Sequence, residues 1–490
     1  MAYIVSIDQS TSASKVFLVD RKGAIVRRFS KKHAQYYPNT GWSEHDAGEI
    51  FDNVVEGIRV VTEGIPASEI ACISISNQRE TTAFFERETG KPARKAIVWQ
   101  DVRAKQLCDG LRPCASKVKE LTGLDLSPYY SAAKAAHALS EDETLKKRAE
   151  NGGICISTID GYLVYRLTGG KCFATDVSNA SRTQLFNLKT LSFDEELCKV
   201  FSIPSVCLPE VKLSDECFGE TSCDGLPAGI RICGVMGDSH ASLFGQGCVS
   251  EGQVKTSYGT GSSVMLNTGE KICQSPKGLS TSVAFGRKNR VYYALEGNIT
   301  HSGDTVTWLC KEAGLASDPA NAAELALSVK DSGGVFLVPA FSGMGAPYFD
   351  ENARAAFIGM NRGTTKAHLA RAAVESMAYQ NADVLDYMSK AYGRPLQKLC
   401  ADGGGSQNTM LMQLQADLSG LEVAVSDETE LSALGSALMG GEAMGLFDIE
   451  KANTHKVCVY VPGISGEERS VKMKLWRTAV SRIINTVSEV

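Results

Sequence analysis

Asp8 heads the run Asp8-Gln9-Ser10-Thr11-Ser12, set between two apolar stretches, Tyr3–Ile7 and Val16–Val19. An aspartate at a strand end, followed by a tight polar turn, offers N–H groups and hydroxyls to a phosphate oxygen. Its carboxylate stands ready for a divalent cation. The same residues would also make an ordinary hairpin whose hydroxyls satisfy only the turn. An echo stands in the second half, where Gln253–Asn267 reads QVKTSYGTGSSVMLN, again an extended run, a Gly/Ser/Thr turn and an apolar strand. Two phosphate-loop candidates, one in each half, predict two related domains facing each other across a nucleotide.

Other chemistry-bearing residues also fall where apolar runs end. Ile230–Met236 runs into Gly237-Asp238-Ser239-His240, so Asp238 is either a general base for a hydroxyl or the N-cap of the following helix. Ala71–Ser76 leads to Asn77-Gln78-Arg79-Glu80, a rigid donor fork beside an acceptor, which would grip vicinal hydroxyls or form a surface ion pair. Leu399–Asp402 enters Gly403-Gly404-Gly405-Ser406-Gln407-Asn408, a turn that brings backbone close to a ligand or only joins strand to helix. Trp99 and Tyr129 suit either a ligand's carbon chain or the core.

The elements that must position these groups alternate in an α/β pattern. Ala24–Phe29 completes a meander with the first hairpin, and Ile50, Phe51, Val54, Val55, Ile58 and Val61 share one helical face. Ala96–Trp99 reads as a short strand, and Ser131–Leu139 and Ser157–Leu167 as helices. The second half adds strands at Ser282–Phe285, Val291–Leu295 and Gly334–Pro339. Its helices are a short one from Gly303, a long one over Lys366–Tyr392, another over Glu430–Met444 and a closing one over Val471–Val487. Strand ends in such sheets are where ligands sit. The predicted domains are 1–247 and 248–490, with the boundary just after Gly247.

Composition narrows the function. At 43% hydrophobic and 22% charged residues, the chain is an ordinary globular protein with ample core. A net charge of -5 leaves no basic footprint for nucleic acid or an anionic membrane. There is no apolar run of membrane-span length, and Met1 leads into a strand instead of a signal peptide. Fifteen cysteines without a Cys-x-x-Cys pair read as buried thiols of a reducing cytosol. Seven scattered histidines suggest no zinc or iron site.

Ten stretches, in order, resemble the FGGY carbohydrate kinase family, and within it the glycerol kinase branch. They are Ile7–Ser12, Gly41–Asp46, Asn77–Thr82, Ala96–Asp101, Leu126–Ser131, Asn179–Thr183, Ser257–Gly261, Pro339–Gly343, Arg362–Thr365 and Asp402–Gly404. The resemblance implies a two-domain actin-like ATPase fold, a duplicated ribonuclease H-like unit with a cleft between the domains. It implies ATP and Mg²⁺, a small polyol or sugar substrate, a cytoplasmic location and a homodimer or homotetramer. By the same resemblance Asp8 helps hold Mg²⁺, and Thr11, Ser12 and Lys15 line the first phosphate loop. Gly259, Thr260 and Gly261 form the second, with Gly303 and Thr307 on the nucleotide side, and Gly403, Gly404, Gly405 and Asn408 shape the adenosine pocket. Arg79, Glu80, Trp99 and Tyr129 match the polyol site, and Asp238 the general base.

The chain departs from that branch at a few positions. Ser239 stands in place of a Gln, and Ser263 in place of a Phe that closes the pocket. Asp238-Ser239-His240-Ala241 is similar to a motif of ribulose-phosphorylating relatives. Small hydroxyls at the far end widen and wet the site, which suits a tetritol or ketopentose as well as glycerol. Ser10 replaces a loop Gly, and Thr307 a Gln, on the nucleotide side. An actin-like mechanical ATPase shares the expected fold but has no need of Arg79, Glu80, Trp99 and Tyr129. A catalytically dead polyol sensor would have no need of Asp8 and Asp238.

Overall fold

The computed structural model describes residues 2–446, 448–449 and 457–484. Two mixed β-sheets carry the chain, and they repeat one topology. In the first, Tyr3–Gln9 and Ala13–Val19 pair antiparallel around the Asp8 turn and Ile25–Lys32 completes the meander. On the other side Ile70–Asn77 and then Arg231–Gly237 run parallel to Tyr3–Gln9, with Cys217–Glu220 antiparallel at the edge. In the second sheet Gln253–Tyr258 and Ser262–Gly269 make the equivalent hairpin, continued antiparallel by Arg290–Ile299 and Ser280–Arg287. Lys398–Asp402 and Val423–Ser426 then run parallel on the far side, and Val457–Tyr460 ends the sheet antiparallel. The predicted duplication is therefore present as a shared order of six strands, to which the second sheet adds Ser280–Arg287 at its edge.

Parallel strands need both faces covered, and their residues are buried almost throughout. Val5, Ile7, Ile73 and Ile75 are fully buried. Ala47–Val61, capped by the Asp46 side chain, lays Ile50, Val54 and Ile58 on one face of the first sheet. Parallel pairing has a direct consequence for chemistry, because carboxyl ends finish side by side. Gln9 pairs with Asn77, and Asn77 with Gly237, so the residues just beyond them emerge together. In the second sheet Ser257 pairs with Asp402, which sets the Gly259 turn beside the Gly403 turn.

The halves interlock. Leu431–Ala443 lies in sequence between Val423–Ser426 and Val457–Tyr460 of the second sheet yet packs on the first, where Ser6 Oγ donates to the Ala433 carbonyl at 2.7 Å. It also crosses Asp238–Gly245 with backbone nearly touching backbone. A Cβ on Gly435 would lie 1.8 Å from the Ala241 carbonyl oxygen, and one on Gly245 would lie 2.4 Å from that of Leu431. The glycines of this helix are thus contact points, not breakers. Gly435→Val is expected to destabilise the protein by at least ~1–3 kcal/mol through overpacking. An unchanged thermal midpoint would show that the two helices do not meet so closely.

Some expected elements shift. Helix begins only at Ile159, because Ile154–Thr158 is a fully buried strand pairing with Thr82–Glu86 in a side sheet. An all-buried strand shows no alternation, so periodicity could not separate it from the helix that follows. The strand expected at Ala96–Trp99 is Pro92–Ile97 of that same side sheet. The closing helix runs Gly466–Ser481, started by the capping box of Ser465 and Glu468, while Val487 lies outside the described residues. Lys366–Tyr392 is helical as expected. The cysteines are free thiols, and no helix among the described residues is long and apolar enough to cross a membrane.

Candidate active site

Strand register brings Asp8, Arg79 and Asp238 to one edge of the first sheet, facing the second. Asp8 is buried and accepts a hydrogen bond from Ser76 Oγ at 3.1 Å. Burial pushes its carboxyl up to about 7, and Asp238 across the gap pushes the same way, while Lys15 and Ser76 oppose them. A cation between the two carboxylates would relieve the repulsion that Asp8 feels from Asp238. Hard oxygen donors are what Mg²⁺ takes, so the donor set fits that ion.

Asp238 opens the helix Asp238–Gly245, with Gly237 as its N-cap, so Asp238 is not the cap itself. Its Oδ1 accepts from the Ser239 N–H at 2.6 Å and faces Arg79 Nε at 3.3 Å. About a third of its side chain is open to solvent. Arg79 gives its two terminal nitrogens to Glu296 at 3.0 and 2.8 Å. Glu296 also faces Arg182 Nη1 at 2.9 Å, and Arg182 Nε donates to Glu80 at 2.6 Å. Arg79 and Glu80 are therefore not a surface pair; each is held from below by a buried partner of opposite charge. Burial alone would raise the Glu296 carboxyl, but Arg182 and Arg79 hold it well below the usual range. Burial wins at Glu80, whose carboxyl is raised despite Arg182 and Arg79. Glu80 also sits at φ 61°, a left-handed conformation uncommon for a side-chain-bearing residue and frequent at functional sites.

The aromatic side of the site is tied to the phosphate side. Trp99 Nε1 donates to Thr11 Oγ1 at 2.9 Å, and the Trp99 and Tyr129 rings meet edge to face at 5.6 Å. Ser263 reaches into the same network, its Oγ 3.4 Å from Glu296 Oε1. His240 Nε2 is 3.0 Å from Ser282 Oγ, and burial holds its imidazole well below the ordinary value.

Most of the residues expected on the nucleotide side lie at or next to the second hairpin. Gly303 N–H donates to the Gly259 carbonyl at 2.9 Å, and Asp304 N–H to that of Thr260 at 3.1 Å, seating the helix Gly303–Lys311 on the turn. A Cβ on Gly303 would stand 2.6 Å from the Gly259 oxygen, so only glycine fits there. Gly403, at φ 85°, crosses Tyr258 as closely: a Cβ would lie 2.6 Å from the Tyr258 oxygen. Gly405 lies against the same tyrosine, Gly404 is open, and Asn408 caps the helix Thr409–Ser419. Thr307 is exposed and donates to the Gly303 carbonyl at 3.2 Å. Ser12, Gly259 and Thr260 are exposed on their turns. Lys15 pairs with Glu430 at 2.7 Å, which joins the first hairpin to the second half.

Glu296, Arg182 and Lys134 were not singled out from sequence. Glu296 is a lone carboxylate in the apolar strand Arg290–Ile299, which is a signal that polarity within a buried run could have supplied. Arg182 lies in a stretch that carried the family resemblance without an assigned role.

The descriptions of two family models match the chain: the FGGY family of carbohydrate kinases, N-terminal domain, over residues 3–245, and its C-terminal domain over 254–444. The chain belongs to the FGGY family of carbohydrate kinases and is an ATP-dependent sugar or polyol kinase of the two-domain α/β fold. It is similar to glycerol kinase 1 of Thermotoga maritima, 44% identical over 489 residues, covering 98% of this chain and 99% of that one. It is also 42% identical to a glycerol kinase of Shewanella woodyi over 99% of each chain. Among solved structures, Plasmodium falciparum glycerol kinase with ADP superposes with a TM-score of 0.94 at 34% identity over 99% of both chains.

Proposed function

We propose that the chain transfers the γ-phosphoryl group of ATP to a terminal hydroxyl of glycerol, giving sn-glycerol 3-phosphate and ADP. The observation that supports this reading is that Asp238 faces Arg79 at 3.3 Å and that the Trp99 and Tyr129 rings meet edge to face, in a chain 44% identical to a glycerol kinase. Arg79 and Glu80 present a donor and an acceptor to neighbouring hydroxyls, and Trp99 and Tyr129 flank the carbon chain. Asp238 Oδ takes the proton as the hydroxyl oxygen bonds to the γ-phosphorus. The bond from that phosphorus to the bridging oxygen breaks, and ADP departs with its electrons. The turns at Ser12 and Gly259–Gly261 offer N–H groups to the phosphates, and Gly403–Gly405 with Asn408 flank the adenosine. Asp8 would hold Mg²⁺, which when bound neutralises charge on the phosphate oxygens. Lys15, paired with Glu430, lines the first phosphate loop. The boundary between the units is proposed at the left-handed turn of Gly247, φ 71°.

A second reading, a tetritol or ketopentose substrate, is favoured by Ser263, a half-buried hydroxyl beside the Arg79–Glu296 pair. Turnover of glycerol, erythritol, ribulose and xylulose with an ADP-release readout separates the two. Glycerol ranking last would overturn the first. Ser263→Phe is expected to narrow the site, lowering turnover of the longer substrates relative to glycerol by roughly 10–200-fold. An unchanged ratio would remove Ser263 from the substrate pocket.

A further inference from the structure

Lys134 is fully buried in the first turn of the helix Ser131–Glu141. A cation there is disfavoured twice, by loss of water and by the positive end of the helix dipole. No carboxylate among the described residues forms an ion pair with it, since Glu80 is engaged by Arg182 and Asp101 by Arg103 at 2.7 Å. Its side chain turns back along the helix. There the ammonium donates to three successive carbonyls, Pro128 at 2.9 Å, Tyr130 at 3.4 Å, and Tyr129 between them. It also lies 5.9 Å from the centre of the Tyr129 ring. These carbonyls belong to the turn that presents Tyr129 to Trp99.

We propose that Lys134 is a positioning residue: its ammonium gathers the Pro128–Tyr130 carbonyls and so sets the Tyr129 ring at the polyol site. This rests on the polyol-site reading above. A protonated amine has three N–H donors for three carbonyls. A neutral one has two and turns a lone pair toward the third, so the turn loosens on deprotonation.

That proton is lost near neutrality. Burial lowers the Lys134 ammonium from the ordinary 10.5 to about 7. The facing groups are Glu80 from the turn after Ile70–Asn77, Asp101 and Arg103 after Trp99, Cys108 on Lys105–Gly110, and Tyr129 and Tyr130 of the turn itself. Glu80 and Asp101 favour the charge, and Arg103 opposes it. Between the folded and unfolded values the folded chain binds fewer protons at this site, so Lys134 makes stability rise with pH in that window. Weaker polyol affinity there is therefore not unfolding. Glu80, whose carboxyl is raised, titrates in the opposite sense, losing its charge as pH falls.

The test is steady-state kinetics on the full chain from about pH 6 to pH 9, with ADP release as readout. Polyol KM is expected to rise about tenfold above neutrality, the equivalent of one lost charge-assisted hydrogen bond. The KM for ATP should not follow. Lys134→Met, of similar length and uncharged, should carry the raised polyol KM at every pH, with kcat within about threefold. Should that variant not fold, Lys134→Gln carries the same test. An active wild type with a flat polyol KM, or a variant that keeps the pH-dependent rise, overturns the role of Lys134 alone. A wild type that phosphorylates no polyol overturns both readings.

Discussion

Asp238→Asn is expected to lower kcat by about 10²–10⁴-fold and to leave polyol and ATP affinity within a few-fold. The amide keeps the size of the side chain and an oxygen for the Ser239 N–H and for Arg79 Nε, which lie at 2.6 and 3.3 Å. The capacity to take a proton is lost, together with the negative charge beside Arg79. The substrate hydroxyl must then shed its proton to water while it attacks, and the bond to phosphorus forms against a held proton. Asp238 is neither a cap nor deeply buried, so the substitution leaves folding nearly untouched. ADP release measures the rate, and titration calorimetry with the polyol measures the affinity. A kcat within tenfold of wild type would remove Asp238 from the base role.

Glu296→Gln is expected to have the largest effect on folding as well as on substrate affinity. Glu296 is fully buried and receives both terminal nitrogens of Arg79, together with one from Arg182. Neutralising it leaves two buried guanidinium groups with Glu80 and the partly exposed Asp238 as their remaining charge partners. Removing one member of such a cluster costs about 3–5 kcal/mol. Arg79 would be free to swing, so polyol KM should rise alongside the fall in thermal midpoint. The pH dependence carries a sign as well. A carboxyl held below its unfolded value contributes stability that is complete above about pH 4.5 and is lost only as pH falls toward the folded value. The difference between wild type and Glu296→Gln should therefore be constant across neutral pH and shrink in acid. A variant as stable as wild type at pH 7 would show the cluster to be electrostatically idle.

Much of the site was legible because its chemistry is local. An acid before a hydroxyl-rich turn, a Gly-Thr-Gly turn and a triple glycine each carry their meaning within a few residues, whatever they fold against. Element types were legible where one face meets water, as in Ala47–Val61. They blurred where both faces are covered, as at Ile154–Thr158 and Ile159–Leu167. Arg79 and Glu80 were visible as polar residues at a strand end, but adjacency left open whether they grip a ligand or only pair with each other. Their actual partners, Glu296 and Arg182, stand 217 and 102 residues away along the chain. Lys134 was read within a helix of alanines, and nothing nearby announced that its charge is turned inward.

Residue order alone thus established an α/β chain with a repeated hairpin, and it proposed two turns and a set of side chains suited to phosphoryl transfer, since hydrogen-bonding capacity and backbone freedom belong to each residue type. Which acid faces which arginine was settled only by three-dimensional folding. Parallel pairing aligns Gln9, Asn77 and Gly237 in one row, and Leu431–Ala443 crosses back to lock the halves together. Charges interact through space, so their pairing follows the register of strands and not the order of the chain.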